Sequence, residues 1–234
     1  MIVRPINTAT AVASAAFASF ATADTVSIEY SLPYSGATTP AGARPWLTAT
    51  FEDTKGEFGE AVLVTLSTSG LTDQEYLSSV FFNFRESIDP GSVRVSDVSR
   101  ENFLGTADFR LGRQDDQNAG GGYRFDLEVD LPNSGRERLA GSGVYAFLLE
   151  TERGLNIYDL LVTTLSDSKE ESLSVAHVQA LSDGSSVWIS AGSKFGDVPA
   201  VGAIEVPEPS TYGAAVVSAG MAFVPIWRRW RKRG

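Results

Sequence analysis

The chain has 234 residues and a mass of 25.0 kDa, with 43 % hydrophobic and 10 % aromatic residues, which suits one cored domain with appendages and excludes disorder throughout. The absence of cysteine excludes a disulfide scaffold, a thiolate metal site, an iron–sulfur cluster and a cysteine nucleophile. Its 29 acidic residues against 19 basic ones, formally −10, leave no electrostatic support for generic binding to nucleic acid.

Residues 1–23 read as a secretory signal peptide. Arg4 supplies positive charge, Thr8 to Phe20 is an uncharged, mildly apolar and alanine-rich run, and Ala21-Thr22-Ala23 is a small-x-small cleavage site before Asp24. The competing reading is an alanine-rich helix of the fold. Charge, apolar run and cleavage site stand in the order that export requires, so export is the expectation.

Residues 24–192 are expected to form the folded body. Between Asp24 and Pro207 lie 13 basic and 28 acidic residues, a net of −15 that favours cations over anionic polymers. Short stretches of period-two alternation recur between Gly, Pro, Asp and Ser clusters. Val26, Ile28, Tyr30 and Leu32 open the pattern. It continues through Pro45–Phe51, Ala61–Ser67, Val80–Phe84 and Ser92–Val98. The clearest case is Tyr123 to Leu131, where Tyr123, Phe125, Leu127, Val129 and Leu131 share one face and Arg124, Asp126, Glu128 and Asp130 the other. Gly143–Leu149, Leu173–Ala180 and Ser186–Ser190 complete the series. Helix is scarce: Thr72–Ser78, with Thr72 or Asp73 as cap, and Gly154–Val162 could each hold one short turn or helix. The expectation is a mainly β chain, an antiparallel β-sandwich of about eight or nine short strands flanked by the signal peptide and a C-terminal transmembrane helix.

Several clusters in the body invite a chemical reading. His177, the only histidine, sits in Leu173 to Leu181 among apolar neighbours, so a hydrogen-bonded structural imidazole is expected. A general base there would need a nucleophile, and no G-x-S-x-G elbow is present. Asp126, Glu128 and Asp130 line one strand face, which would serve glycoside hydrolysis only with a partner acid and otherwise is a solvated surface. The loop Gln114 to Gly122, with Asp115 and Asp116, has oxygens for calcium but lacks the spacing and distal glutamate of an EF-hand loop. The glycines 120–122 precede a strand, not a helix, so they do not cradle phosphate. No catalytic, cofactor or metal residue is therefore assigned, and no enzyme is expected.

The C-terminal end carries the sharpest signal. Residues 193–205 are a Gly/Ala/Val-rich linker. Val206-Pro207-Glu208-Pro209-Ser210-Thr211 follows, with two prolines holding the backbone extended for a processing enzyme's cleft. Residues 213–227 are uncharged, roughly 22 Å as a helix at ~1.5 Å per residue, a short span for a ~30 Å hydrocarbon core. Arg228, Arg229, Arg231, Lys232 and Arg233 close the chain and would hold its end in the cytoplasm. A buried core helix and a permanent single-span anchor are the alternatives.

This end resembles the PEP-CTERM sorting signal of Gram-negative bacteria that make extracellular polysaccharide. The resemblance implies export by the Sec machinery and an inner-membrane-anchored precursor. An exosortase would recognise Pro207, Glu208, Pro209, Ser210 and Thr211, and the cationic cluster would retain the tail until its removal. The body would then reach the cell surface or matrix. Trp46-Leu-Thr-Ala-Thr-Phe51, Gly120-Gly-Gly-Tyr-Arg-Phe-Asp-Leu127, Ala176-His-Val-Gln179 and Ser186-Val-Trp-Ile189 resemble, in that order, a group of PEP-CTERM proteins to which no activity attaches. The leading expectation is a non-enzymatic surface or matrix protein. A carbohydrate- or cation-binding module is the runner-up, and a hydrolase comes third.

Overall fold

The computed structural model describes residues 23–112, 117–165 and 170–192. The signal peptide up to Thr22, the linker 193–205, the span 213–227 and both sorting elements lie outside the described residues. So do Asp115 and Asp116.

Strands dominate, and no α-helix occurs among the described residues. In chain order they are β1 (Thr25–Tyr30), β2 (Leu32–Ser35), β3 (Leu47–Gly56), β4 (Gly59–Ser67), β5 (Tyr76–Phe82), β6 (Arg94–Glu101), β7 (Asp108–Leu111) and β8 (Gln117–Ala119). They continue as β9 (Tyr123–Phe125), β10 (Leu127–Asp130), β11 (Leu139–Ala140), β12 (Val144–Glu150), β13 (Thr164–Leu165), β14 (Glu171–Ser172), β15 (Ser174–Gln179) and β16 (Val187–Ser190). Sixteen strands among the described residues exceed the eight or nine expected. The excess comes from short pieces, such as β8, β11, β13 and β14, that carry too few residues to show a period.

Every pairing is antiparallel. One sheet has the order β1-β3-β4-β12-β6. The larger has seven strands in the order β2-β16-β15-β5-β10-β7, with β11 also on β5. Their alternating apolar residues meet in one core: Ile28, Ala49, Phe51, Val64, Leu66 and Phe147 from the first sheet face Val80, Phe82, Val129, Ala176 and Ile189 from the second. Phe51 and Phe82 cross at right angles with centroids 5.5 Å apart. The Tyr30 hydroxyl meets Ser174 Oγ at 2.5 Å, tying β1 to β15. Each fully buried aromatic contributes roughly 1.5–3 kcal/mol by leaving water.

Of the two stretches expected to hold a short turn or helix, one does so and one does not. Gly154–Val162 holds one 3-10 turn, Ile157–Asp159. Asn156 Oδ1 accepts from the Tyr158 amide at 3.0 Å, Asp159 Oδ2 accepts from the Asn156 amide at 3.1 Å, and the Asp53 carboxylate accepts from the Ile157 amide at 2.8 Å. Thr72–Ser78 is not helical. Its first residues form a tight loop in which the buried Glu75 carboxylate accepts from the Ala41 and Thr72 amides, and β5 starts at Tyr76.

The strand expected over Tyr123 to Leu131 is also broken. β9 pairs with β8, β10 pairs with β5 and β7, and Asp126 is the joint. Asp126, placed on a solvated face by alternation alone, is only 8 % exposed. Its carboxylate accepts from the Phe84 amide at 3.0 Å, and its own amide donates to the Phe82 carbonyl at 3.2 Å. A backbone donor that needs a partner in a dry place holds this carboxylate inside.

Candidate functional site

The outward face of the seven-stranded sheet gathers most of the chemically capable side chains, and the cross-strand register explains why. His177 lies directly opposite Trp188, Gln179 opposite Tyr76, Val175 opposite Phe81, and Glu128 opposite both Phe81 and Arg110. Period-two geometry places all of these on one surface, aromatic toward β2 and charged toward β7.

The charged half is bonded to itself. Arg110 donates to Glu128 at 3.0 Å and to Asp130 at 2.7 Å. The Glu128 carboxylate first, and Asp130 next, hold the guanidinium above its ordinary pKa. With Asp126 turned inside, the three carboxylates read as one row divide into a buried amide acceptor and two partners of one arginine. They do not form an acid and a base facing each other across a cleft.

A second apolar cluster covers the aromatic half. Phe81, Ala119, Tyr123, Phe125 and Val175 pack together, with Tyr34 and Trp188 against them. The β8–β9 hairpin makes this cover. Its turn is the 3-10 segment Gly120–Gly122, and the glycine is a packing requirement: a Cβ on Gly120 would stand 2.3 Å from Trp188 Nε1. The Tyr34 ring meets Tyr123 edge-on at 5.1 Å. Its buried hydroxyl has no hydrogen-bond partner among the described residues, and burial pushes the phenol well above the usual tyrosine value. Thus three of the four sequence fragments singled out above, at 120–127, 176–179 and 186–189, converge at this place.

At the rim of that cover sits His177. A bulge shifts the β5–β15 register between His177 and Val178, leaving Ser78 without an opposite residue. Ser78 Oγ thereby comes 3.0 Å from His177 Nδ1 and 3.1 Å from the His177 carbonyl oxygen. With both contacts made as hydrogen bonds, the single hydroxyl proton goes to the carbonyl, which only accepts, and Nδ1–H donates to Oγ. This is the tautomer opposite to a base that activates serine, and Ser78 is itself buried. The imidazole stacks on Trp188 at 4.5 Å and 17°. Desolvation lowers its pKa, keeping the ring neutral. The expected structural role thus fits His177, while Ser78 and the Trp188 stack were not foreseen. A bulge has no sequence signature here, whereas the recurrence of His and Trp on neighbouring strands offered a faint one.

Beside His177 opens a hollow of about 400 Å³ lined by Tyr76, His177, Gln179, Ala180, Gly184, Ser185 and Ser186. Another hollow, of about 490 Å³, lies between the Ser87–Arg94 loop and Thr151–Arg153. Arg94 there is shared between Glu152 at 3.4 Å and the Phe58 ring at 4.1 Å. Among the described residues, no three His, Asp or Glu side chains stand together as metal ligands. No described helix is long and apolar enough to cross a membrane. Pro207, Glu208, Pro209, Ser210 and Thr211, and the cluster Arg228, Arg229, Arg231, Lys232 and Arg233, fall outside the described residues. No protein-family model, curated protein or solved structure matches the chain.

Proposed function

We propose that this chain is a non-enzymatic exported protein, sorted by an exosortase and held at the cell surface or in the extracellular polysaccharide of a Gram-negative bacterium. One observation carries the reading: a Pro-Glu-Pro motif at 207–209, an uncharged run over 213–227 and five cations between Arg228 and Arg233, in that order. An extended motif that a protease cleft can grip, a marginal span and a cytoplasmic cation anchor form a physically coherent membrane-processing signal. Residues 24–192 would then be a β-sandwich ectodomain, its two facing sheets displayed outside. Support for a body without a reaction centre comes from the bonding of its best candidates: Glu128 and Asp130 neutralise Arg110, Asp126 caps a backbone amide, and the His177 tautomer cannot activate Ser78.

The test is fractionation of a Gram-negative host that carries a cognate exosortase. Glu208→Ala, and separately the replacement of the five terminal cations by serine, are each expected to leave full-length precursor in the inner membrane. An unaltered distribution in both variants would refute the proposal.

A further inference from the structure

The hollow beside His177 is neutral, polar and incompletely bonded. Nδ1 of the imidazole is committed inward to Ser78, which leaves Nε2 as an acceptor without a partner among the described residues. Gln179 Oε1 accepts from the Tyr76 hydroxyl at 2.8 Å, and the Gln179 amide nitrogen donates to none of the described residues. The Ser186 hydroxyl makes no hydrogen bond to the described residues. The walls are fixed. Trp188 stacks on one side of the imidazole, the Arg138 guanidinium lies 4.6 Å over the Tyr76 ring, and Asp183 ties the hairpin turn by accepting from Thr38 at 2.5 Å and from the Ser185 amide at 2.9 Å.

The chemistry of this lining narrows the ligand. No lysine or arginine lines the hollow among the described residues, and Arg138, stacked on the Tyr76 ring and donating through Nε to the Asn133 carbonyl, stands behind that wall, so the lining itself offers an anion no cation. A cation would find no carboxylate in the lining among the described residues, and the neighbouring Asp183 already accepts from two residues. An extended peptide needs a free strand edge, and β15 is bonded on both sides by β5 and β16. Acceptor and donors set side by side suit a ligand whose own groups both give and take hydrogen bonds. Neighbouring hydroxyls of a sugar ring do so.

We propose that this hollow is a subsite for a neutral saccharide, with one sugar hydroxyl donating to His177 Nε2 and others bonding the Gln179 amide and the Ser186 hydroxyl. The subsite requires no processing of the chain's end, so it stands apart from the sorting proposal.

The sole histidine makes the test direct. In the ¹⁵N-labelled folded protein the imidazole gives one pair of side-chain resonances. They are followed on titration with gluco-, galacto- and manno-tetraoses and, as a charged comparison, tetragalacturonate. A saturable shift of the Nε2 resonance with at least one neutral tetraose is expected. Gln179→Ala and Ser186→Ala should each weaken binding about tenfold, the value of one lost hydrogen bond, while both variants keep a cooperative thermal transition. The absence of any saturable shift, preference for tetragalacturonate, or affinity unmoved by both substitutions would each overturn the subsite. None of these results would touch the sorting proposal, which is read from the fate of the C-terminal segment.

Discussion

The two faces of the seven-stranded sheet solve opposite problems with the same strands. Its inner face, through Val80, Phe82, Val129, Ala176 and Ile189, meets the other sheet with mostly apolar side chains, joined by the buried Tyr30–Ser174 hydrogen bond. Its outer face is a mosaic: a charged triad at Arg110, an aromatic cluster under the β8–β9 hairpin, and a bulge that aims Ser78 at His177. Uniform hydrophobic alternation specifies register and stability. Irregularity on the opposite surface, where a bulge and a glycine turn are tolerated, places polar atoms such as those of His177 and Gln179 beside an open hollow. The contrast separates what holds this body together from what it offers to its surroundings.

Substitutions on the two faces should therefore differ in size. Phe82→Ala removes a ring that is 1 % exposed and crosses Phe51, so a loss of about 3–5 kcal/mol in denaturant unfolding is expected. A loss below about 1 kcal/mol would mean that the sheets do not share this core. Gly120→Ala forces a methyl against the Trp188 indole and should cost about 1–3 kcal/mol, with a red shift of tryptophan emission as the hairpin lifts. Unchanged emission would show that the hairpin does not press on Trp188. Arg110→Ala breaks two solvent-screened ion pairs and should leave the denaturation midpoint nearly unmoved, and less affected still in high salt. A marked drop in the midpoint would make the charged half structural.

The smallest effect is a pH dependence. Burial sets the folded-state pKa of His177 below its ordinary value of 6.5, so the unfolded chain binds the proton more readily. The imidazole's contribution is complete above about pH 6.5 and is lost as pH falls toward the lower folded value. The melting temperature should drop modestly between pH 7 and pH 5.5 in the native chain, and the drop should shrink in His177→Asn. An equal drop in both would assign the effect to carboxylates.

Much of the strand layout was legible because alternation is enforced wherever one face is buried. β3, β4, β6, β12, β15 and β16 fall within or overlap stretches marked by that period. What stayed hidden depended on partners distant in sequence. Asp126 follows the polar phase of its strand yet is drawn inside by the Phe84 amide, 42 residues earlier. Ser78 is aimed by a bulge that exists only because β15 pairs with β5. Glu75, read as part of a helical turn, instead accepts from the amide of Ala41 at 2.7 Å. His177 was readable as structural from its apolar neighbours, but its tautomer, its stack on Trp188 and the hollow beside it required the fold.

The proposal that the last residues are a removable address is tested most directly by the intact mass of the mature protein isolated from its native host. The proposal predicts a species that begins at Asp24 and ends between Pro207 and Thr211. A mature species that still carries Trp227 to Arg233 would contradict it.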